Sequence, residues 1–191
     1  MLFEVNKTWL SAISSVTAHY PFRLHNPRED NFGIALLSRL PLRKARVFRL
    51  HSNDTPTIEA VIEWPMGAFH VVGVHPVPPF TRAMADRRNE QMARLGRYLT
   101  GKNRTVLVGD YNATPWSTAY RTIVSLSKFS ECQRMPGWQA TWPNKALWLG
   151  IPIDNCLASA DLVGVRQRIG SSAGSDHRPV LVEVPGSVHG P

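Results

Sequence analysis

Two short segments of the chain carry side chains suited to holding a hard divalent cation beside a phosphate. Gly109-Asp110-Tyr111-Asn112-Ala113-Thr114-Pro115 follows the apolar run Val106-Leu107-Val108, and Gly174-Ser175-Asp176-His177-Arg178-Pro179 precedes Val180-Leu181-Val182. Carboxylates bind a divalent metal and orient or deprotonate water, while amide and imidazole groups donate to the charge that develops on phosphate. Glu4, His75 and Asp154 also stand at the ends of apolar runs, so each can reach the same sheet edge. Every one of these residues also has a plain structural use. Asp110 with Asn112 could form an Asx-type turn, and Asp176 could cap a turn before Pro179. Glu4 could be a solvated strand end, His75 a packing residue before Pro76, and Asp154 the partner of an arginine.

The elements that must position these residues are mostly short strands. Phe32–Ser38, Ala45–Leu50, Thr57–Trp64, Ala68–His75, Thr105–Val108, Ile151–Leu157, Leu162–Arg168 and Val180–Val184 read as strands from their apolar runs and alternation. Asn6 is a helix cap before Lys7–His19, where Leu10, Ile13 and Val16 fall at helical spacing. Thr81 opens a long helix to Leu99, with Met84, Met92, Leu95 and Leu99 inward and Arg82, Arg87, Arg94 and Arg97 on its other faces. Ser117–Leu126 is a further helix. His25–Asn31 reads as a loop, and Gln133–Leu149, with Trp138, Trp142 and Trp148, as an ordered irregular one. Trp116 and Trp142 are read chiefly as packing residues, with base stacking as the other use of such rings. The tail 185–191 is expected to fray. Short strands with hairpin-like neighbours and few helices point to an α/β layered sandwich rather than a doubly wound parallel sheet.

The 191 residues suffice for one domain with a substantial core. With 22 Lys and Arg against 14 Asp and Glu, the net charge of +8 attracts polyanions, whether nucleic acid, phosphorylated small molecules or an anionic membrane surface. No run approaches the ~20 apolar residues that span a bilayer, and the N-terminus has no signal-peptide pattern. Cys132 and Cys156 follow no metal-binding spacing; two buried free thiols are the expectation, with one disulfide as the alternative. Met1–Val5 reads as the end of a buried strand without a preceding partner, so the chain is expected to be an N-terminally shortened piece of a longer protein.

Phe3-Glu4-Val5, Gly33–Arg39, Val74-His75-Pro76, Gly109–Asn112, Pro152–Asn155 and Gly174–Pro179 together resemble the endonuclease/exonuclease/phosphatase superfamily, which includes deoxyribonuclease I. The likeness runs in order from residue 3 to about residue 184. It implies a four-layer α/β sandwich of two mixed β-sheets packed face to face with helices outside. It also implies roles for the residues already singled out. Glu4 would be the principal Mg²⁺ ligand and Asp176 a second metal or metal-water ligand. Asp110 would orient or deprotonate water, and Asn112 would position water and phosphate. His177 would contact the scissile phosphate, Asp154 would orient His177, and His75 would lie near the leaving group. An oxygen-rich site of this kind favours Mg²⁺ or Mn²⁺.

The expected activity is thus metal-assisted attack of water on a phosphodiester or phosphomonoester, with nucleic acid, a phospholipid head group or a soluble ester as substrate. The alternative is a non-catalytic polyanion-binding module that keeps the fold. Family members usually carry one or two strands, with an asparagine, before the glutamate. The shortened chain is therefore expected to be weakly active or inactive until that segment is restored. Its Asp30–Gly33, His75–Pro79 and Asn112–Ser117 segments look most like bacterial members, many of which have a membrane-spanning region ahead of the catalytic domain.

Overall fold

The computed structural model describes residues 1–65, 67–137 and 139–185. Trp138 and the segment 186–191, for which irregular and frayed structure is expected, lie outside the described residues.

Alternating side chains on one central sheet generate the layers. Its six strands lie in the order β4 (Leu42–Phe48), β5 (Thr57–Ile62), β6 (Phe69–Val74), β7 (Thr105–Asp110), β10 (Asp154–Ala158) and β8 (Ser130–Glu131). The β6–β7 pair is parallel, joined by the crossover helix α3 (Arg82–Leu99), and its neighbours pair antiparallel. Val72 and Val74 of β6, Leu107 of β7 and Leu157 of β10 point to one face, where Met92, Leu95 and Leu99 of α3 and Tyr120 and Ile123 of α4 (Thr118–Ser127) cover them. The opposite parity faces the second layer, since side chains alternate across a strand.

That second layer consists of two three-stranded pieces. One is antiparallel, in the order β1 (Leu2–Phe3), β3 (Ile34–Ser38), β2 (Phe22–Asn26), and buries Ile34 and Leu36 against Ile58, Ala60 and Val71. The other is mixed, in the order β12 (Val180–Glu183), β11 (Arg166–Ile169), β9 (Gln133–Arg134), and its Val182 packs with Val106, Cys156 and Ala158. The short helices α1 (Lys7–Ala12) and α2 (Ser14–Thr17) precede β2. The architecture is the expected α/β sandwich with helices outside.

Local signals explain the helix starts. Asn6, Thr81 and Ser117 each accept a hydrogen bond from a first-turn backbone N–H, of Trp9, Met84 and Tyr120 respectively. Four expectations need correction. The strand expected at Leu162–Arg168 begins only at Arg166, because the residues just before it form a turn that leaves Val163 exposed. The helix 7–19 breaks at Ile13 into two short pieces, and Val16 is exposed, because the segment buries only Thr17 well. Part of the expected loop 25–31 belongs to β2, an edge strand that inserts only Leu24 into the core while Arg23 and His25 face outward. Cys132 and Cys156 are joined in a disulfide, Cα–Cα 5.4 Å, because the pairing of β8 with β10 brings them side by side.

Candidate active site

Strand ends bring the acidic residues together. β7 and β10 run antiparallel in a register that places Asp110 directly opposite Asp154. Like charges facing each other across a ladder destabilise it, so the pairing has a cost that a passive core would avoid. Next door, β6 ends at Val74 beside Gly109, where a Cβ would lie 1.9 Å from the Val74 carbonyl oxygen. Only glycine permits that approach, and it delivers His75 to Asp110, with Nε2 3.5 Å from Oδ2.

Asp110 divides its two oxygens. Oδ1 accepts from the Asn112 backbone N–H at 2.7 Å, the Asx-type turn expected of these residues, and Oδ2 faces both His75 and His177. Asn112 is left-handed at φ 46°, a region that asparagine tolerates better than most residues. Its Nδ2 donates to the Pro76 carbonyl at 2.9 Å, which locks the two strand ends together. The second Nδ2 hydrogen and Oδ1 remain for other partners.

Glu4 follows β1 and is also left-handed, φ 59°. A glutamate there carries backbone strain, and strain of this kind concentrates at functional positions. The turn brings its Oε1 to 3.9 Å from His75 Nε2. Gly33 makes the turn feasible, because a Cβ there would overlap the Val5 carbonyl, 1.8 Å away. His75 itself is buried between the rings of Phe3 and Phe32, and Phe32 had no signal in the sequence beyond its apolarity.

The loop before β12 supplies the remaining groups. His177 Nδ1 bonds to Asp154 Oδ2 at 2.8 Å, and its Nε2 points toward Asp110 Oδ2 at 3.9 Å. Asp154 therefore pairs with an imidazole and not with an arginine. Asp176 Oδ2 accepts from Trp142 Nε1 at 3.3 Å, and the Trp142 ring lies against His177. Trp142 is thus a rim residue, and Trp116, 62% exposed, is likewise outside the core, contrary to the packing expected of both.

Two residues without a sequence signal hold this loop. Thr141 Oγ1 accepts from the backbone N–H of Ile153 and Asp154, and the Thr141 carbonyl accepts from Arg178 N. Asn144 donates its backbone N–H to the Asp176 carbonyl and its Nδ2 to Ser175 O.

Electrostatics divide the groups by task. Burial, reinforced by the Asp154 charge, pushes the Asp110 carboxyl up to about 7. Burial also raises Glu4, with Asp176 adding to the effect. Desolvation lowers His75 to about 4, so it is neutral at physiological pH. His177 behaves oppositely. Burial disfavours its charge, but the hydrogen bond and charge of Asp154, with Asp110 and Asp176, outweigh that and hold it at about 9. It is an imidazolium at neutral pH.

Asp110, Asp154 and His177 could bring ligand atoms within 4.8 Å of one another. An imidazolium cannot ligate a metal, however, and Asp154 is committed to holding it. Two further carboxylates stand at the same edge, Glu4, more than half exposed, and Asp176, whose charge adds to the rise of Glu4. An excess of negative charge from oxygen donors is the environment a hard divalent ion fits.

The profile of the endonuclease/exonuclease/phosphatase family matches residues 1–177. The chain belongs to this family. No curated protein matches its sequence. Among solved structures, a variant of the 3′ phosphatase NExo from Neisseria, bound to a product DNA hairpin, superposes with a TM-score of 0.71 at 16% identity, covering 95% of this chain and 86% of that one. Sphingomyelinase C from Streptomyces griseocarneus gives 0.63 at 15% identity, covering 96% and 81%. A mutant beta toxin from Staphylococcus aureus with bound magnesium ions gives 0.70 at 14%, covering 91% and 81%. At these identities the likeness establishes the fold, and the substrates named for those proteins differ from one another.

Proposed function

We propose that this family member hydrolyses phosphate esters, a phosphodiester foremost, by Mg²⁺-assisted attack of water. The observation that carries the reading is the Asp154–His177–Asp110 line. It sets an imidazolium donor next to a half-ionised carboxylate at one strand edge, with Glu4 and Asp176 alongside. A bound divalent cation, held by Glu4 and Asp176, would polarise a phosphate oxygen and make an attacking water more acidic.

The protein's own groups divide the remaining work. Asp110 Oδ2 is the free carboxylate oxygen of its residue and orients the attacking water and accepts its proton. Asn112, fixed by its bond to Pro76 O, positions that water and the phosphate. His177 offers Nε2–H to a non-bridging phosphate oxygen, and Asp154 keeps it charged and aimed. His75, neutral and sheltered by Phe3 and Phe32, stands between Glu4 and Asp110 and stabilises the leaving group by hydrogen bonding.

The test is turnover of bis(p-nitrophenyl) phosphate with and without Mg²⁺. Asp110→Asn and His177→Ala should each lower the Mg²⁺-dependent rate by at least about 10²-fold, with melting temperature within a few degrees of the parent. Wild-type-like turnover in either variant would refute the assignment. Salt-sensitive polyanion binding with no Mg²⁺-dependent turnover of any ester would instead identify a binding module.

A further inference from the structure

A cleft of about 350 Å³ shares Phe32 with the candidate site, its wall including Phe32, Arg49, Ser52, Asn53 and Arg87. The same Phe32 ring packs on His75, so one aromatic side chain borders both this cleft and the site described above.

Its charge is unbalanced. Arg28, also in the wall, is held bidentately by Asp30. Asp54 is held bidentately by Arg94 and is almost fully buried. Both acids of the cleft are therefore neutralised by their own partners. Arg87 makes one described bond, from NH2 to the Asn53 carbonyl at 2.8 Å, which aims the guanidinium without cancelling its charge. Among the described residues Arg49 has neither an ion pair nor a side-chain hydrogen bond, and it is exposed. Two uncompensated guanidinium groups, with the Ser52 hydroxyl and Asn53 amide beside them, form a donor set for an anion with several acceptor oxygens.

The wall is also braced. Gln91 of α3 donates to the Thr55 carbonyl and accepts from the Thr55 N–H, with both residues buried, and the Arg94–Asp54 pair ties the same turn to the same helix. The donors thus sit on a fixed frame, which lowers the ordering cost of binding.

We propose that this cleft is a second phosphate subsite, which binds a phosphate carried by the same substrate as the scissile one. The inference rests on the phosphoesterase reading for the location of the scissile group. It identifies the preferred substrate as one bearing successive phosphates, as a nucleic acid strand does, and makes Arg49 and Arg87 its specificity determinants. Arg49 contributes as an open cation, and Arg87 as a guanidinium already oriented by Asn53.

The experiment compares a thymidine dinucleotide, with one phosphodiester, and a thymidine hexanucleotide, with five. Each is assayed with the parent chain, Arg49→Gln and Arg49→Gln/Arg87→Gln. The single variant guards against misfolding, because Arg49 holds nothing in place. The expected result is a KM for the hexanucleotide raised about fivefold by the single change and more by the double. The slope of log affinity against log salt should become shallower by about one per arginine removed. Dinucleotide kinetics should not move.

Equal losses on both substrates, or an unchanged hexanucleotide KM and salt slope, would overturn the subsite. If the parent chain hydrolyses neither substrate, the phosphoesterase reading is judged by Mg²⁺-dependent turnover of bis(p-nitrophenyl) phosphate instead. Fluorescence anisotropy with labelled hexanucleotide then decides the subsite separately: weaker, less salt-sensitive binding by Arg49→Gln supports it, and identical binding refutes it.

Discussion

The charge state of His177 is set by the fold. Asp154, fixed by its backbone bond to Thr141 and its register on β10, raises the imidazole from its ordinary 6.5 to about 9. A group with a raised folded pKa stabilises the protein fully below its unfolded pKa and loses that contribution as pH rises through the folded value. The window for His177 is therefore about pH 6.5 to 9. Asp110 works in a different interval. Its carboxyl is raised from 3.8 to about 7, so its ionisation costs stability over that lower range. Between pH 7 and 9 the metal-free protein should thus lose on the order of 2 kcal/mol, attributable to His177, since one pKa shift unit corresponds to about 1.4 kcal/mol before solvent screening. Asp154→Asn should flatten that slope in chelator-treated protein, followed by thermal melts at several pH values. An equally steep slope in the variant would place the titration elsewhere.

At the scale of elements, β10 carries Asp154 opposite Asp110 of β7 and a covalent brace to the end of β8. Cys156 lies two residues beyond Asp154 on β10, and its bond to Cys132 closes a sequence separation of 24 residues. A closed loop of that length stabilises a fold by about 3 kcal/mol, mainly by restricting the unfolded chain. Melting temperature under reductant, or in Cys132→Ser/Cys156→Ser, should fall by roughly 6–12 °C for a chain of this size; an unchanged melt would show that the brace contributes nothing. Neither cysteine's spacing revealed the bond, because their proximity arises from β8 pairing with β10, a contact between segments with little strand character of their own. The same physics sorts the other elements. The runs now seen as β5, β6 and β7 were legible because valine and isoleucine are concentrated there, and the caps Asn6, Thr81 and Ser117 because capping is local. β2, β8 and β9 were not, since a polar edge strand and two-residue strands take their form from neighbours. Within the site, acidic and imidazole residues at strand ends announced themselves by type. Phe32, Thr141, Asn144 and Trp142 did not, because their roles depend on loops brought together only by the closed sandwich.

Over the whole molecule the charge has two signs at two ranges. The net +8 draws polyanions from a distance, while Glu4, Asp110, Asp154 and Asp176 give the reactive edge a local excess of negative charge that one imidazolium only partly offsets. A phosphate approaching that edge alone would meet four carboxylates, a repulsion that the proposed cation would relieve. No helix among the described residues is long and apolar enough to cross a membrane. Mg²⁺ binding should therefore appear as stabilisation even without substrate. A ligand that binds only the folded state at a hundred times its Kd adds about 2.7 kcal/mol, roughly 5–10 °C for a domain of this length. Glu4→Gln/Asp176→Asn should lower the carboxylate repulsion, raising the metal-free melting temperature, and at the same time abolish the Mg²⁺ shift. Those two effects move in opposite directions, which separates loss of a metal site from simple damage to the fold. A double variant that still gains the full shift from Mg²⁺ would place the cation on other residues, with Asp110 and Asp154 the next carboxylates in reach.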